Sequence, residues 1–214
     1  MGTDRRKIRK PTPAKIRSED LQKIKGTSPK TETEALPRAR PKFVKTLRVV
    51  NEMMAAGVIG RYAIGGAVGA TFHLEPMPTM DVDIFVAIHA EGEDLIITPK
   101  PIYDYLIGRG YSAVGESLKV EDWLVQFLPP TSPLVEEGIA QAEEVEVADE
   151  VKTFVLSAEH LVAIALQTGR AKDKARIIQF TDSGKLDRKR LVGILERHGL
   201  IDKWRDFEKQ FLND

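Results

Sequence analysis

The chain predicts an α/β (α+β) architecture: a mixed sheet with flanking helices, followed by a small helical region at the C-terminal end. Three observations carry that expectation. Short apolar runs recur at 62–64, 81–88, 111–128 and 143–156, as strands buried on at least one face do. Apolar residues at helical spacing precede the first run, separate the others and take over completely after residue 157. The acidic residues of DVDIFVAI open a strand instead of decorating a helix, which places charged chemistry at the rim of a sheet.

Residues 1–40 are rich in Lys, Arg, Pro, Ser and Thr and contain no aromatic residue. Such a composition buries too little apolar surface to offset ordering entropy, so a basic, disordered tail is expected, with a loosely helical stretch around 18–24. Net charge is zero but unevenly spread: residues 1–48 carry 15 Lys or Arg against 5 Asp or Glu, and the remainder carries 17 against 27. A basic arm binds phosphate backbones by counterion release, which makes RNA or DNA association one reading of the tail. Without aromatics for stacking, a solvated arm against the protein's own acidic surface is the other.

From Lys42 the residues Phe43, Leu47, Val50 and Met54 mark a helix for the back of the sheet, closed by Gly57 as a left-handed cap. Tyr62 to Ile64 then form a strand that runs into Gly65 and Gly66. The small residues Ala67, Gly69 and Ala70 can open a helix whose free N–H groups favour an anion, and glycine lets a phosphate chain come close to the backbone. In DVDIFVAI, alternation puts Asp81 and Asp83 on one face and Val82, Ile84 and Val86 on the other. Two like charges at that spacing repel unless a cation joins them, and Mg2+ (or Mn2+) suits, because it takes one or two carboxylates and completes its shell with water and phosphate. Phosphate on one side and metal on the other describe a nucleoside triphosphate site. The same residues also read as a strand-end cap, an exposed edge acid and two turn glycines, or as the Asp-x-Asp metal site of nucleotide-sugar glycosyltransferases, which leaves the glycine pair unexplained.

At these positions the chain resembles the nucleotidyltransferase superfamily of the DNA polymerase beta fold, and within it the abortive-infection nucleotidyltransferase toxins. The marks are Gly65-Gly66 after a strand, Thr79 two residues before Asp81-Val82-Asp83, and Arg170-Ala171-Lys172-Asp173 opening a later helix. The resemblance implies a domain over 41–156 with the helical region 157–214 packed on it. It also implies transfer of a nucleoside monophosphate to an acceptor (RNA, protein or small molecule) and a toxin–antitoxin setting with an antitoxin-like protein partner. Asp81 and Asp83 would be catalytic and metal-binding. Gly65, Gly66, Thr79, Gln126, Arg170 and Lys172 would bind nucleotide, with Lys172 on the triphosphate and Asp173 in a base or metal-linked role.

The resemblance also implies a third carboxylate on the strand beside the acid pair, and here Gln126 stands in its place. An amide offers a carbonyl oxygen to a cation but brings no charge and takes no proton. Asp122 shares its face yet lies four residues away, about 13 Å along a regular strand. Two readings therefore stand open: catalysis with another proton acceptor, or a nucleotide-binding protein without turnover.

The remaining elements follow in order. A helix is expected from Pro101 to Ile107, ended by Gly108 and Gly110, then strands from Tyr111 to Ser117 and from Lys119 to Leu128. A short helix from Pro133 to Ala142 turns Leu134, Val135 and Ile139 inward, and EVEVADEVKTFVLS supplies one or two strands. Ser157 caps a helix over Ala158 to Thr168 that ends at Gly169. Arg170, Lys172, Lys174 and Arg176 gather at the start of the next helix, and two amphipathic helices, Asp187 to Arg197 and Asp202 to Leu212, finish the chain. With no cysteine, disulfides and thiolate chemistry are excluded, and the four histidines lack zinc-ligand spacing. No apolar run approaches the ~20 residues of a membrane span and no signal-peptide pattern follows the basic start, so a cytoplasmic protein without a membrane partner is expected.

Overall fold

Seven strands make one mixed sheet in the computed structural model, which describes residues 41–75, 79–87, 99–148 and 150–212. The basic tail over 1–40, its stretch around 18–24, and the connection 88–98 with His89 lie outside the described residues. The strands are β1 (Tyr62–Ile64), β2 (Asp81–Val86), β3 (Ser112–Val114), β4 (Ser117–Val120), β5 (Trp123–Leu128), β6 (Glu143–Ala148) and β7 (Val151–Val155). Their order is β3-β4-β5-β2-β1-β7-β6, with β2 and β5 parallel, β1 and β7 parallel, and the other neighbours antiparallel.

Eight helices, counted among the described residues, flank it: α1 (Pro41–Ala55), α2 (Gly66–Ala70), α3 (Lys100–Gly108), α4 (Pro133–Ala140), α5 (Ala158–Thr168), α6 (Ala171–Asp182), α7 (Arg188–Arg197) and α8 (Ile201–Phe211). None is long and apolar enough to cross a membrane. The back of the sheet is covered by α1 and α3. Phe43 and Leu47 are wholly buried there, and the Phe43 ring meets Trp123 of β5 with centroids 5.0 Å apart. Each such side chain contributes about 2–3 kcal/mol of hydrophobic stabilisation. Gly57 ends α1 at φ +72, as expected, but Met53 and not Met54 holds the last core position. On the front, α4 to α8 build a second core with Ala63 and Phe85 around Val162, Ile177, Phe180, Ile194 and Trp204.

The expected strand pair over 111–128 is instead a three-strand meander. Gly115-Glu116 turns β3 into β4, and Glu121-Asp122, both at positive φ, turn β4 into β5. Two residues at φ +51 and +73 give the twist that a two-residue hairpin prefers, although neither is Gly or Asn. Sequence periodicity misses it because alternation continues on either side of so short a turn. Asp122 thereby leaves the strand altogether and pairs with Lys42 and Lys119.

The front is covered unevenly. Helices α4 to α7 lie over the β1, β7 and C-terminal β2 portion, whereas Asp81, Leu124, Gln126, Lys119 and Val114 line the same face toward β3 and stay partly or fully exposed. The boundary between the covered and open halves runs past Asp83.

Candidate active site

At the end of β1 the chain crosses β2 at close quarters. The Gly65 N–H donates to the Asp83 carbonyl at 2.9 Å, and Gly66 turns the chain at φ +58 into α2. A Cβ at Gly65 would lie 2.4 Å from Phe85 Cε2, and one at Gly69 would lie 2.8 Å from the Ile64 carbonyl oxygen. Those two glycines let α2 sit on the sheet. At Gly66 a Cβ would fall 1.8 Å from Asp83 Oδ2, so this glycine admits a carboxylate. Because α2 has five residues its dipole is small, and the larger attraction for an anion must come from side chains.

Asp81 and Asp83 occupy alternate positions of β2, Asp81 exposed and Asp83 half-buried. The parallel register sets Leu124 opposite Asp81 and Gln126 opposite Asp83. Thr79 shapes the entry to the strand: its hydroxyl accepts from the Asp81 N–H at 3.2 Å and donates to the Asp81 carbonyl at 3.4 Å.

A cavity of about 300 Å³ opens between this part of the sheet and the start of α6. Its polar end is formed by Gly66, Asp83, Gln126, Lys172, Asp173 and Arg176, with Arg170 beside them. Its other wall is apolar, with Phe85, Leu128, Pro129, Val135, Leu161 and Ile164, while Thr131, Gln167 and Thr168 supply polar edges. That volume lies at the lower bound of ordinary small-molecule sites.

Charge at the polar end is mixed. Asp173, 1% exposed, accepts from Arg170 Nε at 2.7 Å and pairs with Arg176 Nη1 at 3.6 Å. Burial raises the Asp83 pKa, against the pull of Lys172, Arg176 and Arg170, and the Asp81 charge raises it further. Burial likewise lowers the Arg176 pKa, which Asp173 and Asp83 oppose. The Arg176 Nε is buried and has no hydrogen-bond partner among the described residues. Lys172 is exposed at the cavity edge, while Lys174 turns away and sits over the Phe211 ring at 5.3 Å.

Of the residues singled out in the sequence, Gly66, Asp83, Gln126, Arg170, Lys172 and Asp173 meet around one cavity, and Gly65, Thr79 and Asp81 lie outside its lining. Arg176 joins the cavity from the same helix face as Lys172, four residues away, and that spacing is its signal in the sequence. Glu116 had no signal at all; its carboxylate accepts from Gln126 Nε2 at 3.4 Å.

Solved structures share this fold. The fold is similar to the crystal structure of an antigenic nucleotidyltransferase-like protein from Paracoccidioides brasiliensis, at 19% identity and a TM-score of 0.47, over 78% of this chain and 90% of that one. No protein-family model matches the sequence, and no curated protein does.

The donor set permits a test of the expected cation. Among the described residues no three His, Asp or Glu side chains form a group able to cage a metal. Two carboxylates on one strand face, the inner one pressed on a glycine, suit magnesium shared with a phosphate, since that ion keeps water and substrate oxygens in its shell.

Proposed function

We propose that this protein is a nucleotidyltransferase: it binds a nucleoside triphosphate together with Mg2+ (or Mn2+) and transfers the nucleoside monophosphate to the hydroxyl of an acceptor. The observation that carries this reading is the cavity beside Asp83, where a half-buried carboxylate in reach of Asp81 faces the cations of α6. Asp81 and Asp83 would hold the metal, which would neutralise charge on the phosphates. Lys172 and Arg176, with Arg170, offer positive charge to the β- and γ-phosphates. Asp173 holds Arg170 and Arg176 in place through its ion pairs, so its part is positioning. The apolar wall from Leu128 to Val135 and along α5 suits the face of a base.

Gln126 supports a second reading, in which the protein binds nucleotide and does no chemistry, because the side chain opposite Asp83 is neutral. Pyrophosphate release separates the two. Wild-type protein incubated with Mg2+, each nucleoside triphosphate and RNA, protein or water as acceptor should release pyrophosphate, and the Asp81→Ala, Asp83→Ala variant should not. Nucleotide binding with no release under any of these conditions selects the second reading; equal release by both proteins removes the site.

A further inference from the structure

We infer that Glu116, at the tip of the β3–β4 turn, is the base that takes the acceptor's proton in the transfer proposed above, a role that rests on that reading. Three sets of observations place it there. The first is position. Asp83 stands opposite Gln126, and because Leu118 pairs with Val125, Ser117 falls beside Gln126 and the Gly115-Glu116 turn ends at that level. Neighbouring strands are about 4.8 Å apart, and the Glu116 carboxylate lies 3.4 Å from Gln126 Nε2, so one side chain separates it from Asp83.

The second is availability. Other nearby acids are distant or ion-paired: Glu121 sits in the β4–β5 turn at the opposite end of β4, Asp122 is held by Lys42 and Lys119, and Asp173 by Arg170 and Arg176. Asp81 and Asp83 would be occupied by the metal. No ion pair among the described residues reaches Glu116, which is exposed, while its backbone is fixed because the Tyr103 hydroxyl of α3 donates to its carbonyl at 3.3 Å. Its carboxylate meets only the neutral Gln126 amide among the described residues, at 3.4 Å, so it carries no ion pair while its backbone is held.

The third is direction. The attacking and leaving oxygens of phosphoryl transfer lie roughly in line across the phosphorus. If pyrophosphate is held on the α6 side by Lys172 and Arg176, the acceptor must arrive from the opposite side, over Gln126 and the open half of the sheet, where Glu116 stands. The acceptor O–H bond breaks with its proton passing to the Glu116 carboxylate, and its oxygen bonds to the α-phosphorus. The bond from that phosphorus to the bridging oxygen breaks, pyrophosphate leaves with the electron pair, and Glu116 returns its proton to water. Gln126 then has a physical use. A carboxylate in its place would crowd a third negative charge between Asp83 and Glu116, whereas the amide donates toward Glu116 and adds no charge.

The test measures Mg2+-nucleotide affinity and pyrophosphate release for wild type, Glu116→Gln, and Glu116→Gln combined with Gln126→Glu. Glu116→Gln should keep nucleotide affinity within about twofold while turnover falls about 10²–10⁴-fold, the range a general base supplies. Returning a carboxylate through Gln126→Glu should recover about tenfold or more of the lost rate. Turnover of Glu116→Gln within about threefold of wild type, with affinity kept, overturns the role of Glu116 and leaves the nucleotidyltransferase reading standing. Wild type that releases no pyrophosphate overturns both, and no variant is needed to see it.

Discussion

Glu137 and Asp83 both sit among cations, and their opposite behaviour separates structure from function. Glu137 of α4 accepts from Arg197 Nη2 at 2.6 Å, His198 Nε2 at 2.8 Å and His160 Nε2 at 3.3 Å, and those bonds hold its pKa down at about 2. Asp83 has three cations within electrostatic reach, yet burial wins and its pKa is raised. Every lone pair that Glu137 exposes inward meets a donor, so it ties α4 to α5 and α7. Asp83 borders a cavity and is kept in a state that costs the fold stability, the usual mark of a group waiting for a partner.

The largest effect expected from this contrast is that of Asp83→Asn. On the proposed reading, in which Asp83 would hold the catalytic ion, turnover should fall about 10³-fold or more. Thermal stability should rise by about 2–4 °C for each kcal/mol of charge-burial penalty relieved. Because the folded pKa of Asp83 lies above its ordinary value of 3.8, that penalty is complete above the folded pKa and disappears below 3.8. The stability gap between variant and wild type should therefore close as acid is added, and calorimetric melts across pH measure it. A melting temperature that falls at pH 7 would place Asp83 with Glu137 as a structural group.

Gly66→Ala comes next. Its Cβ would strike the Asp83 carboxylate, and φ +58 strains any L side chain, so a loss of about 2–4 kcal/mol in chemical denaturation is expected together with weaker nucleotide binding. Glu137→Ala should cost about 3 kcal/mol by leaving His160 and Arg197 without their acceptor. Above about pH 4.5 the stability that Glu137 supplies is complete, and it drains as pH falls toward 2. His160, whose pKa burial depresses, adds a loss that begins as pH drops below 6.5. Nucleotide affinity at neutral pH should be unchanged in any Glu137 variant that remains folded, as titration will show.

The smallest effect separates neighbouring lysines. Lys172→Ala should weaken triphosphate binding about tenfold at low salt and less at high salt, whereas Lys174→Ala should change it by less than about twofold. Equal effects would mean that α6 attracts nucleotide by overall charge and not by the face that borders the cavity.

How much of this was legible in the sequence follows from the range of each interaction. The α5 helix could be read to its ends because Ser157 caps it and Gly169 closes it at φ +73, both local signals. The Asp81 and Asp83 alternation was equally local, and so was the strand-side place of Gln126. The Glu121-Asp122 hairpin was hidden because neither residue is the glycine that usually marks a positive-φ turn, and alternation runs on at either side of it. Gly66 announced a close approach but not its partner, since Asp83 reaches it only through strand pairing. Glu116 lies ten residues from Gln126 and becomes its neighbour through a turn that periodicity could not locate. Arg176 carried its spacing openly, and what it lacked was any sign that α6 would lean over the acid strand.

Calorimetric titration with Mg2+ and each nucleoside triphosphate, run on wild type and on the Asp81→Ala, Asp83→Ala variant, tests the central claim most directly. The account predicts binding by wild type that depends on the divalent ion and is lost in the variant, although the variant melts at no lower temperature. Equal binding by the two proteins, or wild-type binding indifferent to the ion, would contradict it.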